Sequence, residues 1–202
     1  MNINFIEIDQ ALDVVLIWLF RLPLPPLVSF FAGLVLLALI LTIIGELCMA
    51  GVYFMNRKHF AEITHEMTSN NNASIRALAR KDKKSYTACN SLANEAFGRS
   101  FFSGLALFAS SVWPVAFALS WMQFRFGNIE FFSLPFAADP VGVNFVFIPL
   151  YVVVRFAFAK AKPYLPVFAQ IKRAVKANEF SGEELMTWGD LVQDDKAQAT
   201  EK

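Results

Sequence analysis

Cysteine and histidine are scarce in this chain of 202 residues. The two cysteines, Cys48 and Cys89, lie 41 residues apart and form no CxxC pair, so neither a disulfide scaffold nor a zinc site is indicated. The two histidines, His59 and His65, are spaced by six and therefore lie on different faces of a helix. They cannot form the i, i+4 pair of a zinc protease. We predict two reduced packing thiols and no metal site.

Catalytic motifs are also lacking. The chain contains no nucleophile elbow, no phosphate-binding loop and no dinucleotide fingerprint. We therefore predict that it is not an enzyme and that it uses no cofactor. The N-terminal stretch has no basic residue before Arg21 and carries Glu7, Asp9 and Asp13, which argues against a cleaved signal peptide.

Apolar residues are abundant instead. They make up 56% of the chain, and 22 residues are Phe, which is more than one soluble core of this size usually hides. This composition predicts an all-α integral membrane protein.

Three stretches are long and apolar enough to cross a bilayer. Residues 27–55 contain a single charge, Glu46, and at 1.5 Å per residue they exceed the roughly 30 Å hydrocarbon core. Residues 99–123 form the second predicted span. Residues 141–162 form the third, which contains Arg155 and is stopped by Pro163.

The flanking segments are predicted from helical spacing and composition. Residues 1–26 should form an amphipathic helix in the membrane interface, ending before Pro23. Residues 124–140 form an outer loop. The tail, residues 163–202, should hold a basic surface helix, a short element capped by Ser181 and a disordered end beyond Gln193.

The distribution of cations predicts the orientation. Residues 56–99 contain eight Lys or Arg side chains, whereas Arg21 alone precedes the first span and Arg125 alone lies between spans two and three. The positive-inside rule therefore places residues 56–98 and the C-terminus in the cytoplasm and the N-terminus outside.

The polar segment 56–98 predicts an antiparallel helical hairpin, a coiled coil between spans one and two. A turn is expected at residues 68–72, TSNNN, because Ser and Asn favour turns. The arms would then have about 14 and about 26 residues. Apolar stripes on the arms would face each other. Their members are Tyr53, Phe60, Ile63 and Met67 on the first arm and Ile75, Leu78, Tyr86, Cys89 and Leu92 on the second.

This organisation resembles the YidC/Oxa insertase superfamily, particularly its minimal three-span members, the archaeal YidC-like proteins and the third subunit of the endoplasmic reticulum membrane protein complex. The resemblance covers about residues 27–178. It rests on the order of spans, basic cytoplasmic hairpin, short aromatic outer loop and basic tail, and on the tract WMQFRFGNIEFFSLPF at residues 121–136.

The resemblance implies a factor that assists the entry of hydrophobic segments into the bilayer through a polar intramembrane groove, in the cytoplasmic membrane of a bacterium or archaeon. Insertases of the family carry a groove arginine on the first core span, where this chain has Glu46. Glu46 and Arg155 either reach the interface or face the bundle interior, where they pair or line the groove. The candidate groove residues are Glu46, Ser110, Ser111, Asn144 and Arg155.

The cations between residues 76 and 84 form the second candidate site, either a contact surface or a solvated helix face. Its members are Arg76, Arg80, Lys81, Lys83 and Lys84, of which Arg76, Arg80 and Lys83 or Lys84 have the spacing of one helical stripe. The partners implied are the bilayer, hydrophobic client proteins or other membrane subunits, and a ribosome or targeting factor at the hairpin, but not DNA. The alternative function is a small scaffold or anchor subunit of a larger membrane complex.

Overall fold

A computed structural model of the chain describes residues 5–129, 141–180, 182–187 and 189. These residues form helices and connecting turns, and the described part of the chain contains no strand. Two short 3₁₀ helices, Ile17–Phe20 and Lys162–Tyr164, accompany six α-helices. The α-helices are α1 (Phe5–Leu16), α2 (Pro26–Met55), α3 (Arg57–Ala79), α4 (Lys83–Phe126), α5 (Val143–Ala161) and α6 (Pro166–Glu179).

Three of these helices are long and apolar enough to cross a membrane, namely α2, α4 and the stretch Val143–Tyr164 that begins with α5. The first and third match the predicted spans 27–55 and 141–162 within two residues. The second predicted span, 99–123, is the C-terminal part of the 44-residue helix α4. Pro114 lies inside α4, which continues through it. The chain is therefore all-helical where it is described, with the composition of an integral membrane protein.

The chain divides into two compact units. The first comprises Met1–Ala50 and Ala109–Ala169, and the second comprises Gly51–Phe108 and Gln170–Lys202. The core of the first unit is formed by buried side chains that recur at helical spacing on three helices. They are Leu34, Leu37, Ala38 and Leu41 on α2, Val115, Ala118, Trp121 and Met122 on α4, and Val143, Phe147 and Tyr151 on α5.

Helix α1 packs on this core and directs two carboxylates toward α4. Ser120 Oγ donates to Asp9 Oδ2 at 3.0 Å, and the Trp121 indole N–H donates to Asp13 Oδ1 at 3.0 Å. Arg125 lies 3.7 Å from the same Asp13 oxygen. A helix is thus present within the predicted segment 1–26, at Phe5–Leu16, and α4 supplies hydrogen-bond donors for Asp9 and Asp13.

In the second unit, α3 and α4 are joined by a tight turn at residues 80–82. Lys81 adopts the left-handed conformation, with φ of 58°. Asp82 caps α4 by accepting the backbone N–H groups of Lys84 and Ser85, both at 3.1 Å. Hydrogen bonds from Ser85 hold the pKa of the Asp82 carboxyl below its usual value. The cap is therefore complete above the ordinary aspartate pKa and is lost only as the pH falls through the lowered value.

The turn predicted at residues 68–72 is wrong, because those residues continue α3. Asn72 is buried there and its amide is hydrogen-bonded to the segment after α6, which outweighs the local turn preference of asparagine. Arg99 on α4 donates to Glu66 on α3 at 2.6 Å, so the two helices run back along each other from the true turn.

The predicted apolar stripes are only partly reproduced. Ile63 and Ile75 are buried on α3, but Leu92 on α4 is exposed, and Ala93 and Ala96 are buried in its place. The packed face of α4 is thus shifted by one residue from the predicted stripe. Small side chains occupy it, since alanine allows two helices to approach closely.

The tail begins with α6, which matches the predicted basic helix and carries Lys172, Arg173 and Lys176. In the second unit Asn178 of α6 donates to the Tyr53 hydroxyl at 3.0 Å and to the Arg57 carbonyl at 2.8 Å. The predicted cap Ser181, most of the outer loop and the end beyond Gln193 lie outside the described residues.

Candidate functional site

The first candidate site lies among the helices of the first unit and contains two charged side chains from the predicted groove. Glu46 on α2 is 9% exposed. Its carboxylate is in contact with the ammonium group of Lys162, which follows α5. The pairing of Glu46 with Arg155 that the sequence allowed is not observed. Lys162 is the partner instead, and it places a neutralising cation beside a buried carboxylate.

Arg155 on α5 is held by two hydroxyl groups. Its Nη1 donates to the Tyr151 hydroxyl at 2.7 Å, and its Nη2 donates to Ser111 Oγ at 2.6 Å. Ser111 is fully buried on α4, and Tyr151 is 6% exposed. The guanidinium is therefore fixed toward the interior of the first unit, on the side of α5 that faces α4.

One face of α5 supplies most of these groups. Tyr151 and Arg155 on α5 and Lys162 directly after it are spaced by four and seven, which places them on one side of the helical stretch Val143–Tyr164 over roughly 16 Å of rise. We call the five residues Glu46, Ser111, Tyr151, Arg155 and Lys162 the polar column. It joins side chains from all three helices that are long enough to span a membrane.

A glycine permits the close approach of α2 to this column. A Cβ added at Gly45 would overlap the carbonyl oxygen of Ser111, which is backbone and cannot rotate away. The backbone of α2 therefore touches the backbone of α4 one residue before Glu46. Small residues at such crossings are typical of membrane helices, in which packing replaces the hydrophobic effect.

Asn144 of the predicted groove lies apart from the polar column. Asn144 Nδ2 is 3.4 Å from Gln123 Oε1, and Asn144 precedes Arg155 by eleven residues, or roughly 16 Å along α5. The Asn144 Oδ1 atom is buried and finds no hydrogen-bond partner within the described ranges. Ser110 is half-buried on α4 beside Ser111. The column thus includes Ser111 but not the amide of Asn144.

Sequence reasoning missed Tyr151, Lys162 and Gly45. The i, i+4 spacing of Tyr151 and Arg155 and the seven-residue spacing of Arg155 and Lys162 were visible signals of a shared helix face. The contact between Glu46 and Lys162 joins residues 116 positions apart and had no local signal. The close approach at Gly45 depends on the crossing of two helices, which the sequence does not specify.

The second candidate site, the basic surface, is exposed throughout. Arg76 is on α3, Arg80 and Lys81 are in the turn, and Lys83 and Lys84 begin α4. Because α3 ends at Ala79, the predicted single helical stripe is wrong, and the cations cluster around a turn instead. Arg76 also forms an ion pair with Glu183 at 3.2 Å, which the sequence did not indicate.

The part of the chain that the structure describes contains no group of three His, Cys, Asp or Glu side chains arranged for a metal ion. Cys48 and Cys89 are half-buried and are not joined in a disulfide.

A double-mutant cycle should measure the coupling between Glu46 and Lys162. We expect Lys162→Ala to destabilise the protein by about 1–3 kcal/mol, since it leaves a buried carboxylate unpaired. Adding Glu46→Ala should restore part of that loss. Lys160→Ala, which removes an exposed cation two residues earlier, is the matched control and should have little effect. Unfolding in mixed detergent gives the free energies, and strictly additive single effects would contradict the pairing.

Comparison with known proteins adds no relative, because no protein-family model, no curated protein and no solved structure matches the chain. The class of protein therefore rests on its own structure, which is that of a helical chain with three helices able to cross a membrane.

Proposed function

We propose that this protein is an insertase-like biogenesis factor that assists the entry of hydrophobic segments into the bilayer. The observation that carries the proposal is the Arg155 guanidinium, held by Ser111 and Tyr151 among helices long enough to span the membrane. Ionisable side chains in such segments are costly and usually mark a pathway for ions, protons or polar groups. The resemblance to the YidC/Oxa superfamily supports the same assignment.

The proposed mechanism needs no covalent chemistry. A client with one hydrophobic segment must carry a short polar tail across the hydrocarbon core, and each unsatisfied polar group there costs several kcal/mol. A guanidinium with neighbouring hydroxyls offers hydrogen bonds and positive charge to that tail, which lowers the barrier. The apolar segment then leaves sideways into lipid, where it is stable.

The proposed topology follows from the distribution of charge. The α3–α4 turn and the tail lie in the cytoplasm and the N-terminus lies outside, in the cytoplasmic membrane of a bacterium or archaeon. The basic surface around the turn then meets anionic lipid, a ribosome or a targeting factor. The helices on each side of the turn act as a hairpin arm that contacts incoming clients.

A second candidate function is that of a scaffold subunit in a larger membrane complex. The Glu46–Lys162 contact favours it, because a buried carboxylate neutralised within the same chain can serve packing alone. In that case the polar column orients helices and touches no client.

Depletion of the protein, followed by quantitative proteomics of the membrane fraction, separates the two functions. We expect many unrelated membrane proteins with short translocated tails to decrease, because each depends on assisted insertion. Complementation with the wild-type gene should restore them and serves as the control. The decrease of a single stoichiometric complex, with other membrane proteins unchanged, would favour the scaffold and contradict the insertase.

A further inference from the structure

The segment at residues 182–187, which follows α6, is held against α3 by main-chain recognition within the second unit. Asn72 Nδ2 donates to the Glu184 carbonyl at 2.9 Å, and Asn72 Oδ1 accepts the Met186 N–H at 2.8 Å. Asn71 Nδ2 donates to the Met186 carbonyl at 3.0 Å. Two adjacent asparagines therefore bind both backbone groups of Met186. We call residues 182–187 the strap.

One side chain of the strap is also recognised. Glu183 Oε2 accepts from Asn72 Nδ2 at 3.0 Å and from Arg76 Nη2 at 3.2 Å. These contacts lower the pKa of the Glu183 carboxyl, first through the Asn72 hydrogen bond and then through the Arg76 charge. The contacts thus involve one carboxylate, that of Glu183, and the main chain of Glu184 and Met186.

The two sides of this contact differ in burial. Asn72 is 1% exposed, whereas Leu185 in the strap is 51% exposed and residues 182–185 and 187 are all exposed. A buried side-chain amide whose donor and acceptor atoms are all hydrogen-bonded to another segment forms a binding site for that segment. Met186 is half-buried, so the strap has little buried apolar surface within residues 182–187, and its exposed ion pair adds little.

We infer that the face of α3 formed by Asn71, Asn72 and Arg76 is a binding site for extended acidic peptide segments, and that the strap is its occupant within the chain. A partner segment with a carboxylate followed by extended backbone presents the same groups and displaces the strap. Main-chain recognition by side-chain amides tolerates variation in sequence, as strand-addition modes of peptide binding do. The nearby cations of the basic surface favour an acidic partner during encounter. The inference does not depend on the insertase function.

The site also explains why three asparagines stand within a helix. Residues 70–72 are poor helix formers, and their presence in α3 lowers the local helix propensity. Two of the three bind the strap, and their amides provide both the donors and the acceptor that an extended chain needs. Asn70 is half-buried on the same turn and makes none of the strap contacts given above, which makes it a matched control.

The test uses the full chain in lipid nanodiscs and a capped, fluorescein-labelled peptide with the sequence GEELMT, followed by fluorescence anisotropy. Met186→Pro removes the N–H that Asn72 accepts and should release the strap. We expect the peptide to bind this variant at least about tenfold more tightly than the wild-type protein, in which the strap competes at high effective concentration. Equal affinity for the two proteins would overturn the inference.

Specificity is tested in the Met186→Pro background. Adding Asn72→Ala should weaken peptide binding about tenfold, Arg76→Gln should weaken it by about two- to fivefold because the ion pair is exposed, and Asn70→Ala should leave it unchanged. A Glu183→Gln peptide should also bind more weakly. Circular dichroism shows whether Asn72→Ala disturbs α3. If it does, the specificity test rests on Arg76→Gln and on the Glu183→Gln peptide, because Arg76 is exposed and its substitution leaves the helix core unchanged. Binding that is insensitive to Arg76→Gln and to the altered peptide would contradict the proposed site.

Discussion

Gly45→Ala is expected to destabilise the first unit by about 2 kcal/mol or more. The added methyl group would overlap the Ser111 carbonyl oxygen, and α2 and α4 would have to separate because neither backbone can turn aside. Separation would loosen the packing of Leu41 and Val115 and move the Ser111 hydroxyl relative to Arg155. The expected result is a lower free energy of unfolding in mixed detergent and a lower melting temperature.

Gly51→Ala provides the matched control on the same helix. A Cβ at Gly51 meets no atom within 4 Å, so the substitution adds helix propensity without overlap and should be neutral or stabilising by about 0.5–1 kcal/mol. Both variants change the same residue type in an apolar helix, so membrane insertion is affected equally. Similar losses for the two variants would contradict the close approach of α2 and α4.

The spans were predictable because hydropathy and length are local properties of the sequence. The predicted segment 27–55 and the observed Pro26–Met55 differ by one residue, and Pro26 explains the start because proline suits the first position of a helix. The predicted second arm, of about 26 residues, and the second predicted span, 99–123, together form the one helix α4, which begins at Lys83 because the turn lies at residues 80–82 and not at 68–72.

The turn between α3 and α4 was predicted wrongly for a physical reason. Residues 68–72 prefer turns locally, but Asn72 gains hydrogen bonds from residues more than 110 positions away, and the helix continues. The true turn carried a usable signal. Asp82 precedes Lys84 and Ser85 in the arrangement of an N-cap, and its side chain accepts both backbone N–H groups.

Several residues of the candidate site could be predicted from the sequence, but the side chains that they contact could not. Glu46 and Arg155 were identified because charged side chains are rare in apolar spans, and Ser111 because its hydroxyl can line a groove with them. Lys162 ended the third predicted span and was not assigned to the site, and only the packing of α2 against the end of α5 brings it to Glu46. Asn144 was placed with the same group, but it lies at the other end of α5, beside Gln123.

Arg155→Gln is expected to reduce the insertion of clients with acidic tails by about tenfold or more. Two opposite charges about 6 Å apart at an effective dielectric constant near 20 attract by about 3 kcal/mol, and the loss of even half of that is a tenfold change in rate. Arg155→Lys keeps the charge but not the paired donors to Ser111 and Tyr151, so we expect an intermediate loss. Lys160→Gln, an exposed cation on the same helix, should have no effect.

The decisive measurement is insertion into liposomes that contain the purified protein, scored by protease protection of single-span clients whose short tails differ only in charge. The wild-type protein should increase insertion over empty liposomes, and Arg155→Gln should abolish most of that increase for acidic tails while affecting neutral tails less. Equal insertion by wild-type protein and Arg155→Gln at matched levels and matched melting temperatures would contradict the account, as would the absence of any increase over empty liposomes.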